Sequence, residues 1–142
     1  MKVDKERIKK YLFDILSNLR DIESLLGEYG EKGLVTNKHL IKSLKYSLVE
    51  ICEASSIILQ HILAKYYGIP VKGYMDTLKK AYESGIITET LLGSLKPFFE
   101  LRNAMVHRYW SVDDKKLINM CETSYKEFFK FIEIIENFIE KI

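Results

Sequence analysis

Arg102, Asn103, His107, Arg108 and Tyr109 bring a permanent cation, an amide, a titratable imidazole, a second guanidinium and a phenol into eight consecutive residues. No acid stands between Leu101 and Val112 to neutralise them. An arginine holds phosphate as a planar fork. A histidine is the side chain best placed to move protons near neutral pH. Together they suggest chemistry on a phosphodiester. RNA can supply its own nucleophile there, the 2′-hydroxyl.

Such residues need a frame, and the rest of the chain reads as helices. Its 142 residues and 47% hydrophobic content suit one packed domain spanning 1–142. Two prolines and seven glycines leave room for long uninterrupted elements. The formal charge of +2 neither demands nor excludes a nucleic-acid partner, so any basic footprint must be local. Cys52 and Cys121 stand alone, which fits core positions in a reducing, cytoplasmic setting better than a disulfide framework. The charged start, Met1 to Lys10, lacks the apolar stretch of a signal peptide. No apolar run is read as membrane-spanning, and no membrane partner is expected.

Ile8, Leu12, Ile15, Leu19, Ile22 and Leu26 predict a first helix over 4–28, broken by Gly27, Gly30 and Gly33. Those glycines lack a following Gly-Lys-Ser/Thr and are read as a loop rather than a phosphate cradle. Ile41, Leu44, Leu48, Ile51, Ser55, Ile58 and Ile62 predict a second helix from Thr36 or Asn37 to Tyr67, ended by Gly68-Ile69-Pro70. A short third helix follows from Tyr74 to Ser84. Thr88 caps a fourth, which carries the motif and should kink at Pro97. Ser111-Val112-Asp113-Asp114 reads as a capping box. It should open one last helix with Leu117, Cys121, Ser124, Phe128, Ile132, Ile135, Ile139 and Ile142 on a single stripe. The fold class is all-α, an antiparallel bundle of about five helices. Two of them approach 45 Å in length, roughly thirty residues at 1.5 Å each. Apolar faces of that length leave surface for a second copy, so a homodimer is expected.

On an ideal helix Arg102 and His107 differ by about 140° in direction and about 7.5 Å in height. Asn103 and His107, four residues apart, share a stripe. Asn103 can then orient His107 while the long Arg102 side chain reaches round to the same pocket. Spacing alone favours the plainer reading, a helix C-terminus where His and Arg suit the macrodipole, because an Arg and a His five apart occur often by chance. The neighbours decide between these readings.

The run Leu101-Arg102-Asn103-Ala104-Met105-Val106-His107-Arg108-Tyr109-Trp110-Ser111-Val112-Asp113 resembles the HepT-like branch of the HEPN proteins, the toxins of HEPN/MNT toxin–antitoxin pairs. The likeness extends to Glu50, Glu53 and His61-Ile62 in the second helix, to Gly68-Ile69-Pro70, to Tyr74-Met75 and Leu78, and to the Gly85-Ile86-Ile87 turn. Ser56 departs from it, standing where an acid is expected. That departure counts against a role for the second helix in the site.

The resemblance implies an all-helical dimer that cleaves RNA without a metal, its two sites facing one cleft. Arg102 and His107 are the implied catalytic residues. Arg102 holds the phosphate as charge grows on it, and His107 acts as general base or acid. Asn103 supports them, and Arg108 adds charge for the RNA backbone. The resemblance further implies a partner nucleotidyltransferase that silences the toxin by adding AMP to the tyrosine of His-x-Tyr, here Tyr109. Tyr109 and Trp110 also suit an aromatic patch over the bundle end, and for Trp110 that reading is preferred.

Neither metal nor other cofactor is expected. His39 and His61 lack a Cys or His at ligand spacing and read as structural. The lysine pairs at Lys9, Lys79 and Lys115 read as solvated faces. Phe128, Phe129 and Phe131 read as core or dimer surface. Two other functions compete with an RNase toxin. One is a non-catalytic helical subunit that holds a nucleotide or substrate for a nucleotidyltransferase. The other is a plain interaction bundle, which would not require Arg102, Asn103, His107 and Tyr109 together.

Overall fold

The computed structural model describes residues 2–107 and 112–142. All regular structure among them is helical: α1 (Lys5–Val35), α2 (Lys38–Ile62), a π-helical turn (Leu63–Tyr67), α3 (Gly73–Glu83), α4 (Glu89–His107), α5 (Asp114–Ser124) and α6 (Glu127–Lys141). The all-α class holds, with six α-helices among the described residues in place of about five.

α1 and α2 form a long hairpin across a two-residue connection, and α2 also packs on α3 and α4. α6 closes the bundle against α1 and α4. The expected apolar stripe of α2 is buried at every position from Ile41 to Ile62. With its π turn this segment, Lys38–Tyr67, is long and apolar enough to cross a membrane, which corrects the reading that no such run exists. Burial of 61% of its most apolar stretch makes it the central core helix instead.

Asp4 caps α1, its carboxylate accepting from Arg7 N–H at 3.0 Å. The glycine break falls at Gly30 alone, where φ 66° and ψ −179° define a backbone that a side chain would strain. Helix resumes beyond it, so α1 reaches Val35 rather than ending near residue 28. Asn37 caps α2. The second helix keeps α-geometry only to Ile62. The Leu63 carbonyl accepts from Gly68 N–H and, at 2.9 Å, from Ile69 N–H. The widened turn and its left-handed glycine cap are therefore one device.

The last helix is two helices. Phe128 and Phe129 N–H bond to carbonyls only three residues back, and the Tyr125 hydroxyl donates to Glu23 Oε2 of α1 at 3.0 Å. The Thr123 hydroxyl bonds back to Asn119 and Met120 carbonyls, which weakens helix continuity there. The buried stripe changes register across the corner. Phe128, Phe131, Ile135 and Ile139 face inward, while Ile132 and Ile142 are only half-buried. Phe98 of α4 meets Phe128 edge-on at 5.2 Å, pinning the motif helix to α6.

Asp113 caps α5, accepting from Lys115 and Lys116 N–H at 3.0 and 3.3 Å, while Ser111 of the expected capping box lies outside the described residues. A carboxylate one residue before the first helical turn reaches those donors directly.

Candidate active site around Arg102

Thr88 starts α4 as expected, its hydroxyl accepting from Leu91 N–H at 3.1 Å. The helix runs on through Pro97, whose ring is exposed, and is described as far as His107. Leu91, Leu95, Phe98, Phe99, Arg102 and Met105 point into the core. Arg102 thus continues a buried apolar stripe, and only 8% of the residue is accessible. A charge so placed must be paired and hydrogen-bonded.

Three elements satisfy it. Nη2 donates to Glu53 Oε1 of α2 at 2.9 Å. Nη1 donates to Asn103 Oδ1 at 3.1 Å. The guanidinium carbon lies 3.9 Å from the centre of the Tyr74 ring, on the first turn of α3. Phe99 holds Tyr74 from another side, ring centroids 6.1 Å apart. Burial pushes the Tyr74 phenol above its ordinary range, and the Arg102 charge opposes that shift. Arg102 Nε is buried with no hydrogen-bond partner among the described residues.

Cys52, beside Glu53, is fully buried with its thiol 3.7 Å from the Phe98 carbonyl. Burial drives its pKa far up, so it packs as a neutral thiol. Cys121 behaves alike, pushed up to about 12 by burial. Both match the core role read from the sequence.

His107 is exposed at the last residue of α4. Among the described residues no hydrogen bond joins it to Arg102 or Asn103. Asn103 instead accepts from Arg102 Nη1, although a continuous helix keeps Asn103 and His107 on one stripe. Arg108, Tyr109, Trp110 and Ser111 lie outside the described residues.

Glu53 and Tyr74 are members of the site to which residue reasoning gave no role. Both had appeared only as points of likeness. α2 does reach the site despite Ser56, which is buried and accepts from Gln60 Nε2 at 3.0 Å. His61 is structural as expected. Its Nε2 accepts the Asp4 N–H at 2.9 Å, tying the start of α1 to the end of α2. No group of three or more His, Cys, Asp or Glu among the described residues could hold a metal.

A family model described as ribonuclease HepT-like matches residues 15–135. This chain belongs to the HepT-like ribonuclease family. A protein of Archaeoglobus fulgidus named "Putative RNase" is 32% identical over 102 residues, covering 72% of this chain and 76% of that one. A like-named protein of Methanocaldococcus jannaschii is 30% identical over 88 residues, covering 62% of this chain and 97% of that one. Among solved structures, the tri-AMPylated Shewanella oneidensis HEPN toxin in complex with MNT antitoxin superposes with a TM-score of 0.85 at 22% identity, covering 96% of this chain and 99% of that one. A toxin–antitoxin crystal structure with AMP-PNP gives 0.82 at 22% identity, covering 95% and 99%. At that identity the two structures establish the HEPN-like fold. Within it, α4 carries Arg102 and α2 is the helix that faces it.

Proposed function

We propose that this HepT-like protein is the toxin of a toxin–antitoxin pair and an endoribonuclease that needs no metal. The observation that carries the reading is Arg102. A scaffold gains little by burying a guanidinium in a core stripe and then holding it with Glu53, Asn103 and Tyr74. A phosphoryl-transfer site needs such a fork, fixed before the substrate arrives. The relatives named as RNases and the HEPN-like fold support the same conclusion.

In this mechanism His107 takes the proton of the RNA 2′-hydroxyl. The 2′-oxygen attacks the adjacent phosphorus, and the bond from phosphorus to the 5′-oxygen breaks. A proton returns to that 5′-oxygen, leaving a 2′,3′-cyclic phosphate and a 5′-hydroxyl. Arg102 stabilises the charge that builds on the phosphate oxygens, and Asn103 holds Arg102 in place. Arg108 adds a contact to the RNA backbone. Two copies facing one cleft would bring both sets of Arg102 and His107 to the same strand. Control falls to a partner nucleotidyltransferase that adds AMP to Tyr109.

The test is cleavage of an RNA oligonucleotide by purified protein. His107→Ala should lose about 10²–10⁴ in rate while remaining folded, the scale of general acid–base catalysis. EDTA should leave the wild-type rate unchanged. A folded His107→Ala variant with wild-type cleavage would remove the role of His107. Loss of activity in EDTA, restored by Mg²⁺ or Mn²⁺, would remove the metal-free mechanism.

A further inference from the structure

The chain is nearly charge-balanced, yet its lysines are not evenly spread. Lys32, Lys38, Lys42, Lys45 and Lys115 line two adjoining depressions that share Val35 and Thr36. Only two acids line them, Glu31 and Asp114. Asp114 is taken up by Lys45 at 3.0 Å. The other four lysines have no carboxylate within 4.0 Å among the described residues. This patch gathers the Lys115 neighbourhood, solvated by expectation, with three lysines of α2 and one of α1.

The patch has a direction. At 3.6 residues per turn, Lys38, Lys42, Tyr46 and Glu53 fall within an arc of about 80° on α2. One face of that helix therefore leads from the lysines, past Tyr46, to the carboxylate that holds Arg102. Lys42 stands about 16 Å from Glu53 along the axis, at 1.5 Å per residue. Tyr46 is 65% exposed, an aromatic ring left in water one turn beyond Lys42. Glu50 flanks the stripe on one side and is half-buried.

We infer that this face of α2, from Lys38 to Tyr46 with Lys115 beside it, binds the single-stranded RNA backbone that leads to Arg102. The inference rests on the ribonuclease reading and names where that enzyme grips its substrate. Cationic side chains interleaved with an exposed aromatic are what a single strand needs, phosphates on the charges and a base on the ring. A protein partner fits less well, because protein interfaces are depleted in lysine and anchored by buried aromatic or arginine residues. Lys45 is held by Asp114 at the start of α5, seven residues after His107, so the patch is also tied to the helix that follows the motif.

Binding of a labelled 20-nucleotide oligouridylate to the His107→Ala protein, followed by fluorescence anisotropy over a salt series, tests this separately from cleavage. Lys38→Gln/Lys42→Gln/Lys115→Gln should weaken binding and lower the slope of log affinity against log salt by about 2, at about 0.7 per phosphate contact. Tyr46→Ala should weaken binding about tenfold, and Tyr46→Trp should retain it. In the cleavage-competent protein the lysine variants should raise KM and leave kcat near wild type. An unchanged salt slope together with a silent Tyr46→Ala overturns the proposal. So does a lysine variant that keeps RNA binding but loses association with an antitoxin, since the face would then be a protein interface. RNA binding that follows the predicted slopes in a protein without cleavage activity would keep the track and remove the ribonuclease reading.

Discussion

Glu53 and Arg102 lie forty-nine residues apart in sequence and meet at 2.9 Å between α2 and α4. The guanidinium is nearly buried, while the Glu53 side chain keeps 39% of its surface in water. The pair is lopsided. Losing the acid leaves a cation stranded in the core, whereas losing the arginine returns a carboxylate to solvent. Glu53→Ala should therefore destabilise the fold by about 1–2 kcal/mol, discounted from a fully buried pair because the acid is partly solvated. Adding Arg102→Leu to Glu53→Ala should recover part of that loss. Urea unfolding of the two single variants and the double variant measures it, and strict additivity would mean that the pair carries no coupling.

Tyr74 should act through its ring rather than its hydroxyl. Its face covers the Arg102 guanidinium at 3.9 Å. Tyr74→Phe keeps that contact and should leave RNA cleavage near wild type. Tyr74→Ala removes about 1–2 kcal/mol of cation–π attraction and frees Arg102 to turn. Cleavage should then fall in kcat more than in KM, because the fork is misaimed rather than missing. Equal losses in the Phe and Ala variants would point to the hydroxyl instead.

Acid sensitivity should trace in part to His61. Burial lowers its pKa in the folded chain, and the Arg7 charge adds to this. Its Nε2 must be unprotonated to accept the Asp4 N–H. A histidine whose folded pKa is depressed contributes fully above the unfolded value of about 6.5, and that contribution is lost as pH falls through the folded pKa. The urea midpoint should thus drop between pH 7.5 and 5.5 in the wild type. The drop should be smaller in His61→Ala, which starts less stable. Parallel pH profiles for the two proteins would exclude His61 as a source.

The contrast between what the sequence told and what it hid has a physical cause. Ile41 to Ile62 kept one period because α2 is packed on several sides, so periodicity reported burial faithfully. Periodicity failed at Tyr125, where the ladder shifts to three-residue bonds and the stripe moves from Ile132 to Phe131. Nothing in local spacing marks such a corner. The bond from Tyr125 to Glu23 that helps hold it joins residues 102 apart. Residue types picked out Arg102 for chemistry. Its partners did not follow from spacing, because Glu53 and Tyr74 come from other helices and converge only on folding. The bond from Arg102 Nη1 to Asn103 Oδ1 was not legible either, since adjacent helical residues do not face each other.

Tyr109 should be the control point of the proposed toxin. It stands two residues past His107 in the sequence. A nucleotidyltransferase partner would attack the α-phosphorus of ATP with the phenol oxygen, forming a phosphodiester to AMP and releasing pyrophosphate. The new phosphate would compete with RNA phosphate for Arg102 and Arg108, and the adenosine would crowd the cleft. Such inhibition adds charge and bulk at the site and needs no repacking of the bundle. Tyr109→Phe should keep most cleavage activity, because the phenol transfers no proton in the mechanism above. It should also escape silencing by the partner. Intact-mass measurement after co-expression with that partner decides the matter. The wild type should gain one or more AMP units and Tyr109→Phe none. A gain that persists in the Phe variant would move the modification elsewhere, and no gain in the wild type would end the idea of control by AMP addition.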